Sequence, residues 1–156
     1  AAASSNEAEA EYQLGLLYER GLGTSVNFDE ARRCYRLAAE QEHLHAQYQL
    51  GNLFDKGLGT KQDYTEAFKW IEQAAQKGHP KAQFQLGQMY ANGEGITRNY
   101  QEAAKWYRLA AMHGHTKAQF QLGMFYKKGL GVTQDYTEAT RWLKQSIEQS
   151  ISEPSF

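Results

Sequence analysis

The sequence predicts an all-α solenoid built from four 36-residue helix–loop–helix repeats. Three observations carry that expectation. Ala10, Ala46, Ala82 and Ala118 recur at a step of 36, and so do Leu14-Gly15, Leu50-Gly51, Leu86-Gly87 and Leu122-Gly123. Within each unit the apolar residues fall at i, i+4, i+7 and i+8, the spacing of one helix face. Paired glycines, Gly21/Gly23, Gly57/Gly59, Gly93/Gly95 and Gly129/Gly131, then interrupt the helical pattern at the same step. No insertion or deletion breaks the register between Ala10 and Ala139, and such self-similarity is the mark of a repeat architecture.

The second copy shows how each element arises. Helix A covers 44–56, with Ala46, Leu50, Leu53 and Phe54 on one face. Gly51 inside it costs about 1 kcal/mol against alanine, so its recurrence implies a close helix–helix approach. Gly57 supplies the left-handed residue that ends the helix. A loop over 57–62 leads to helix B. Its start carries an Asx residue followed three later by glutamate: Asn27/Glu30, Asp63/Glu66, Asn99/Glu102 and Asp135/Glu138. That pattern predicts a capping box, with the glutamate reaching back to the cap's amide. Helix B then places Ala67, Trp70, Ile71, Ala74 and Ala75 on one face. Gly78 closes it and Pro80 opens the next helix A.

The end copies depart from this pattern. Glu42 stands where later units have Gly78 and Gly114, while Ser146, Ile147 and Ser150 replace an alanine pair and a glycine. An atypical last unit suits a terminal repeat with one neighbour. The first copy has no such cap, so the array is expected to extend further N-terminally in its parent. The repeat domain spans 8–150 (repeats 8–43, 44–79, 80–115 and 116–150), with tails 1–7 and 151–156.

Composition narrows the function classes. Hydrophobic residues make up 41% and charged residues 22%, which suits a folded core rather than disorder. The formal net charge of −1 gives no nucleic-acid footprint, and no apolar run reaches the length needed to cross a bilayer. No nucleic-acid partner and no membrane insertion are expected. The chain opens Ala-Ala-Ala-Ser-Ser-Asn, without methionine or the regions of a signal peptide, as an excised or processed product would. Cys34, the one cysteine, occupies a helix B position where the other copies have tryptophan, and is read as a core thiol.

The combination Ala-x-x-x-Leu-Gly, an aromatic, the Gly-x-Gly pair, Asx-aromatic-x-Glu-Ala and Ala-Ala-x-x-Gly resembles the Sel-one-like repeat (SLR), a relative of the tetratricopeptide repeat. The resemblance covers residues 8–150. It implies a right-handed α/α solenoid whose helices A line a concave surface. It also implies an adaptor or scaffold, and many such proteins are bacterial and exported or periplasmic. A protein or peptide partner and a monomeric chain are expected. A cysteine-rich branch of the family is associated with penicillin binding or weak β-lactamase activity. Its repeated cysteines are missing here, as are Ser-x-x-Lys and Lys-Thr-Gly.

In a tetratricopeptide-like stack the helix A stripe opposite the apolar face looks into the groove. The candidate binding residues are Tyr12, Leu16 and Glu19 in the first copy and Tyr48, Asn52, Asp55 and Lys56 in the second. Phe84 and Gln88 follow in the third, then Phe120, Met124, Lys127 and Lys128 in the fourth. The ladder Tyr12, Tyr48, Phe84, Phe120 is either packed against the neighbouring helix A or forms a floor for a peptide. The stripe's formal charge climbs along the array: Glu9, Glu19 and Arg20; then Asp55 and Lys56; then Lys81; then Lys117, Lys127 and Lys128. A ligand would therefore point its acidic part toward the C-terminal repeats.

No catalytic residues, cofactor or metal are expected. His43, His79 and His115 repeat one loop position and do not converge on an ion, despite the His-x-His pairs His43/His45 and His113/His115. The Gly-x-Gly pairs lack the strand and third glycine of a dinucleotide site, and no Walker, His-Glu-x-x-His or Gly-x-Ser-x-Gly sequence occurs. The leading expectation is a protein–protein interaction scaffold. The alternatives are an envelope module that recognises cell-wall glycan or peptide, and a consensus-like array with no evolved ligand.

Overall fold

A computed structural model describes residues 2–152, with side chains from Ser5 onward. Eight helices follow in order: α1 (Ala2–Arg20), α2 (Phe28–Glu40), α3 (Leu44–Lys56), α4 (Tyr64–Gln76), α5 (Pro80–Asn92), α6 (Tyr100–Met112), α7 (Thr116–Lys128) and α8 (Tyr136–Ser152). No strand occurs among the described residues. Odd-numbered helices are the A helices and even-numbered ones the B helices, so the all-α repeat fold is the one the spacing predicts. The alanine-rich start contains no helix breaker, and α1 takes in residues the repeat pattern leaves outside. The helices form two compact units that divide between Lys77 and Gly78. In the first, α1 packs on α2, α2 on α3 and α3 on α4; in the second, α5 packs on α6, α6 on α7 and α7 on α8.

The helix A glycines exist for packing. A Cβ on Gly51 would stand 2.7 Å from Cδ1 and Cγ1 of Ile71, and one on Gly87 2.6 Å from Cδ1 of Tyr107. Each A–B pair is therefore closed to contact at this point, where even a methyl group has no room. Around these contacts Leu50, Ile71, Leu86 and Leu122 are wholly buried. Leu14, at the same repeat position in α1, is 45% exposed. Trp70, Trp106 and Trp142 are buried on the B helices, and Cys34 at their repeat position is buried as well. Burial pushes the Cys34 thiol up from its ordinary value, which disfavours the reactive thiolate.

Helix starts and ends follow local chemistry, with one correction. The side chains of Asn27, Asp63, Asn99 and Asp135 accept from the amides of Glu30, Glu66, Glu102 and Glu138. The reciprocal half of the expected capping box is replaced. The cap's own N–H donates to a helix A carbonyl: Asn27 to Tyr18, Asp63 to Phe54, Asn99 to Tyr90 and Asp135 to Tyr126, at 2.9–3.0 Å. That carbonyl lies near the end of helix A and lacks a helical partner, so one bond satisfies both groups and ties the A–B loop down. Glutamate is left to favour the positive end of the helix. Gly57 ends α3 at φ 68°, as its position predicts. Glu42 adopts φ 64° at the position of Gly78 and Gly114, the sole non-glycine with positive φ among the described residues.

Candidate functional site

The three inter-repeat histidines turn out to be helix N-caps. Nδ1 of His43 accepts from the Ala46 amide at 3.1 Å, that of His79 from Ala82 at 3.1 Å and that of His115 from Ala118 at 3.2 Å. An accepting Nδ1 places the ring proton on Nε2. In His43 this nitrogen lies 2.6 Å from Glu9 Oε2, and the bond holds the Glu9 carboxyl below its ordinary range. Sequence reasoning saw the repetition of these histidines but not the cap, because histidine is seldom found there. The usable signal was a histidine three residues ahead of the invariant alanine in three successive units. Among the described residues no three His, Cys, Asp or Glu side chains are grouped to hold a metal.

Two rungs of the aromatic ladder, Tyr12 and Phe84, rest on these caps. Tyr12 stacks on His43 with ring centroids 4.7 Å apart and an interplanar angle of 29°. Phe84 stacks on His115 at 4.6 Å and 23°. Both rings are half-buried, as is Tyr48, whereas Phe120 is 47% exposed. Tyr12 and Phe84 thus pack on the start of the next helix A and are only partly covered. Of the other candidates, Leu16, Glu19, Asn52, Asp55 and Met124 are partly buried, while Lys56, Gln88, Lys127 and Lys128 are exposed.

Behind the ladder lies a buried amide that sequence reasoning passed over. Nε2 of Gln47 donates to the carbonyl of Ala39 at 3.2 Å and to Oε1 of Gln73 at 3.1 Å, and its own Oε1 accepts from Lys77 Nζ at 3.1 Å. Gln119, two steps on, donates to the Ala111 carbonyl at 3.1 Å and bonds Gln149. Ala39 and Ala111 lie near the ends of α2 and α6, and their carbonyls also accept from the amides of Glu42 and Gly114 at 3.0 Å. Each glutamine therefore joins a helix A to the end of the preceding helix B. The loop glycines serve the same junctions, since a Cβ on Gly59 would fall 2.5 Å from the Phe28 backbone.

The second unit contains a cleft of about 610 Å³. It brings together three of the sequence candidates, Phe84, Gln88 and Phe120, with Thr116, Lys117 and Gln121 of α7. Its far wall is Ser146, Ile147, Ser150 and Ile151 of α8; the first three are the departures from the repeat seen in the sequence, which did not place them in a site, and Ile151 was assigned to the tail. Met124, Lys127 and Lys128 lie further along α7 and do not line it.

The pattern of the Sel1 repeat matches residues 8–43, 44–79, 80–115 and 116–151. The chain belongs to the Sel1 repeat family. These Sel1 repeats are similar to a protective antigen of uropathogenic Escherichia coli displaying an SLR fold, at 41% identity and a TM-score of 0.90. That match covers 94% of this chain and 32% of the antigen. A Sel1 repeat protein from Oxalobacter formigenes is 37% identical with a TM-score of 0.88, over 93% of this chain and 60% of that one. The chain therefore spans under two thirds of the length of either relative. Helicobacter pylori cysteine rich protein B shares the fold, at 19% identity and a TM-score of 0.60 over 79% of this chain and 91% of that one. No curated protein matches. Sel1 repeats are commonly protein–protein interaction modules and generally non-enzymatic. No described helix is long and apolar enough to cross a membrane.

Proposed function

We propose that this chain is a protein-interaction module whose helix A faces receive a protein or peptide partner, with the partner's acidic part on the fourth repeat. One observation carries the polarity. Helix α7 bears Lys117, Lys127 and Lys128, all exposed, and has no acidic residue along its length. By contrast α1 bears Glu7, Glu9, Glu11 and Glu19 against Arg20 alone. A positive helix face steers an acidic partner and fixes its direction. The aromatic ladder supports the reading too, because rings held by stacking lose little freedom when a partner covers them.

The test is selection from a displayed library of random 16-residue peptides on the intact chain, followed by affinity measurement on the enriched peptides. Enrichment of acidic sequences is expected, and Lys127→Glu with Lys128→Glu should weaken them about tenfold. A library that yields no binder would sink the proposal. Equal affinity for the double variant would remove its polarity. Binding of muropeptides by a chain that selects no peptide would replace it with a cell-wall reading.

A further inference from the structure

We infer that Lys77 is a positioning residue whose ammonium group locks α3, the helix that offers Tyr48, Asn52 and Asp55, to the turn that precedes it. What the face is for rests on the interaction reading above. The lock itself stands on the seam behind that face.

Three elements of the first unit meet at this group. Lys77 directly follows α4, and its Nζ donates to the carbonyl of Glu42 at 2.9 Å and to Oε1 of Gln47 at 3.1 Å. Glu42 belongs to the turn between α2 and α3, and Gln47 is a wholly buried residue of α3. Both acceptors gain from the contact. At φ 64° Glu42 makes a turn that Gly78 and Gly114 make in later copies, in a conformation that disfavours a side chain. Nε2 of Gln47 already donates to Ala39 and Gln73, so its oxygen depends on a donor from elsewhere. A primary ammonium carries three hydrogens on one nitrogen, serves both acceptors at once and strengthens each bond by its charge.

The chain contains its own comparison. Two repeats on, Gln119 stands at the position of Gln47 and Gln149 at that of Lys77. Gln119 again donates to the preceding helix B, at Ala111, and bonds Gln149. Nε2 of Gln149 reaches the Gly114 carbonyl, the counterpart of the Glu42 carbonyl, at 3.4 Å rather than 2.9 Å. Oε1 of the wholly buried Gln119 has no hydrogen-bond partner among the described residues. With glutamine in the place of lysine, the same frame meets one acceptor loosely and the other not at all. A buried acceptor left unmet favours local opening. The donor at this one position therefore decides how firmly helix A is held, and Lys77 holds α3 more firmly than Gln149 holds α7.

The experiment is amide hydrogen exchange on the intact chain, followed residue by residue by NMR. Lys77→Met keeps the length and removes the donors, and should speed exchange of the α3 amides about tenfold. Lys77→Arg keeps donors in place and should hold the wild-type rates. Lys77 is exposed, so neither variant disturbs the core, and the second unit serves as internal reference. Gln149→Lys should do the reverse, slowing exchange in α7 about threefold or more. Unchanged α3 rates in Lys77→Met overturn the inference, as do rates in Lys77→Arg that match Lys77→Met. Gln149→Lys without slower exchange does so too, and so does a Lys77→Met chain whose exchange rises equally in both units. Peptides from the library selection are then measured on Lys77→Met, where weaker binding is expected, and full affinity despite a loosened α3 overturns the positioning role. If the library yields no peptide, the interaction reading falls and the exchange rates alone decide the lock.

Discussion

The ring of His115 accepts from the Ala118 amide and lies on Phe84, so one side chain both starts α7 and covers the ladder. His115→Ala should cost about 1 kcal/mol, in line with other lost N-caps. His115→Asn, which restores a capping oxygen but not the ring, should recover most of it by urea denaturation. Residues of this kind were the hardest to read from sequence. Gly57 announces its turn by type alone, whereas His115 shows its role only through an amide that the fold brings to it.

At the level of the helix pair, Gly51→Ala isolates what the glycine does. Alanine favours the helix by about 1 kcal/mol, yet its methyl would sit 2.7 Å from a wholly buried Ile71 side chain. Overpacking costs about 1–3 kcal/mol, so a net loss of about 1 kcal/mol is expected by chemical denaturation. Ile71→Val should recover part of it in the double variant, and additive losses would mean that the two residues are not in conflict. Elements were largely legible because their causes are local. The bounds 44–56 follow from apolar spacing and a terminal glycine, and α3 has those bounds. The capping box failed in its second half because the Asn27 amide finds Tyr18, a partner across a loop rather than within the turn. The cleft wall escaped notice for a similar reason. Ser150 read as a departure of the terminal unit, and only α8's continuation sets it in one cleft with Phe120.

For the molecule as a whole, a formal net charge of −1 conceals an acidic first helix and a basic seventh. Exposed charges are screened over about 10 Å at 0.1 M salt. Raising salt from about 0.05 M to about 0.5 M should weaken an acidic peptide several-fold on the wild type. The Lys127→Glu/Lys128→Glu variant should respond less, and parallel salt slopes would dissociate these lysines from the bound peptide. The rising charge was visible in the sequence as soon as the period was known. Its place on the surface was not, since Lys117 lines the cleft while Lys127 and Lys128 lie beyond it.

The buried glutamine has a consequence for how such arrays change length. Gln47 finds the carbonyl of Ala39, and Gln119 that of Ala111, so each bond belongs to a seam and to neither repeat alone. A gene rearrangement that adds or removes a whole 36-residue step rebuilds the seam with the same partners. One of any other length loses that bond, at about 0.5–1.5 kcal/mol for a hydrogen bond not remade. The seam thereby weights duplication toward in-step changes.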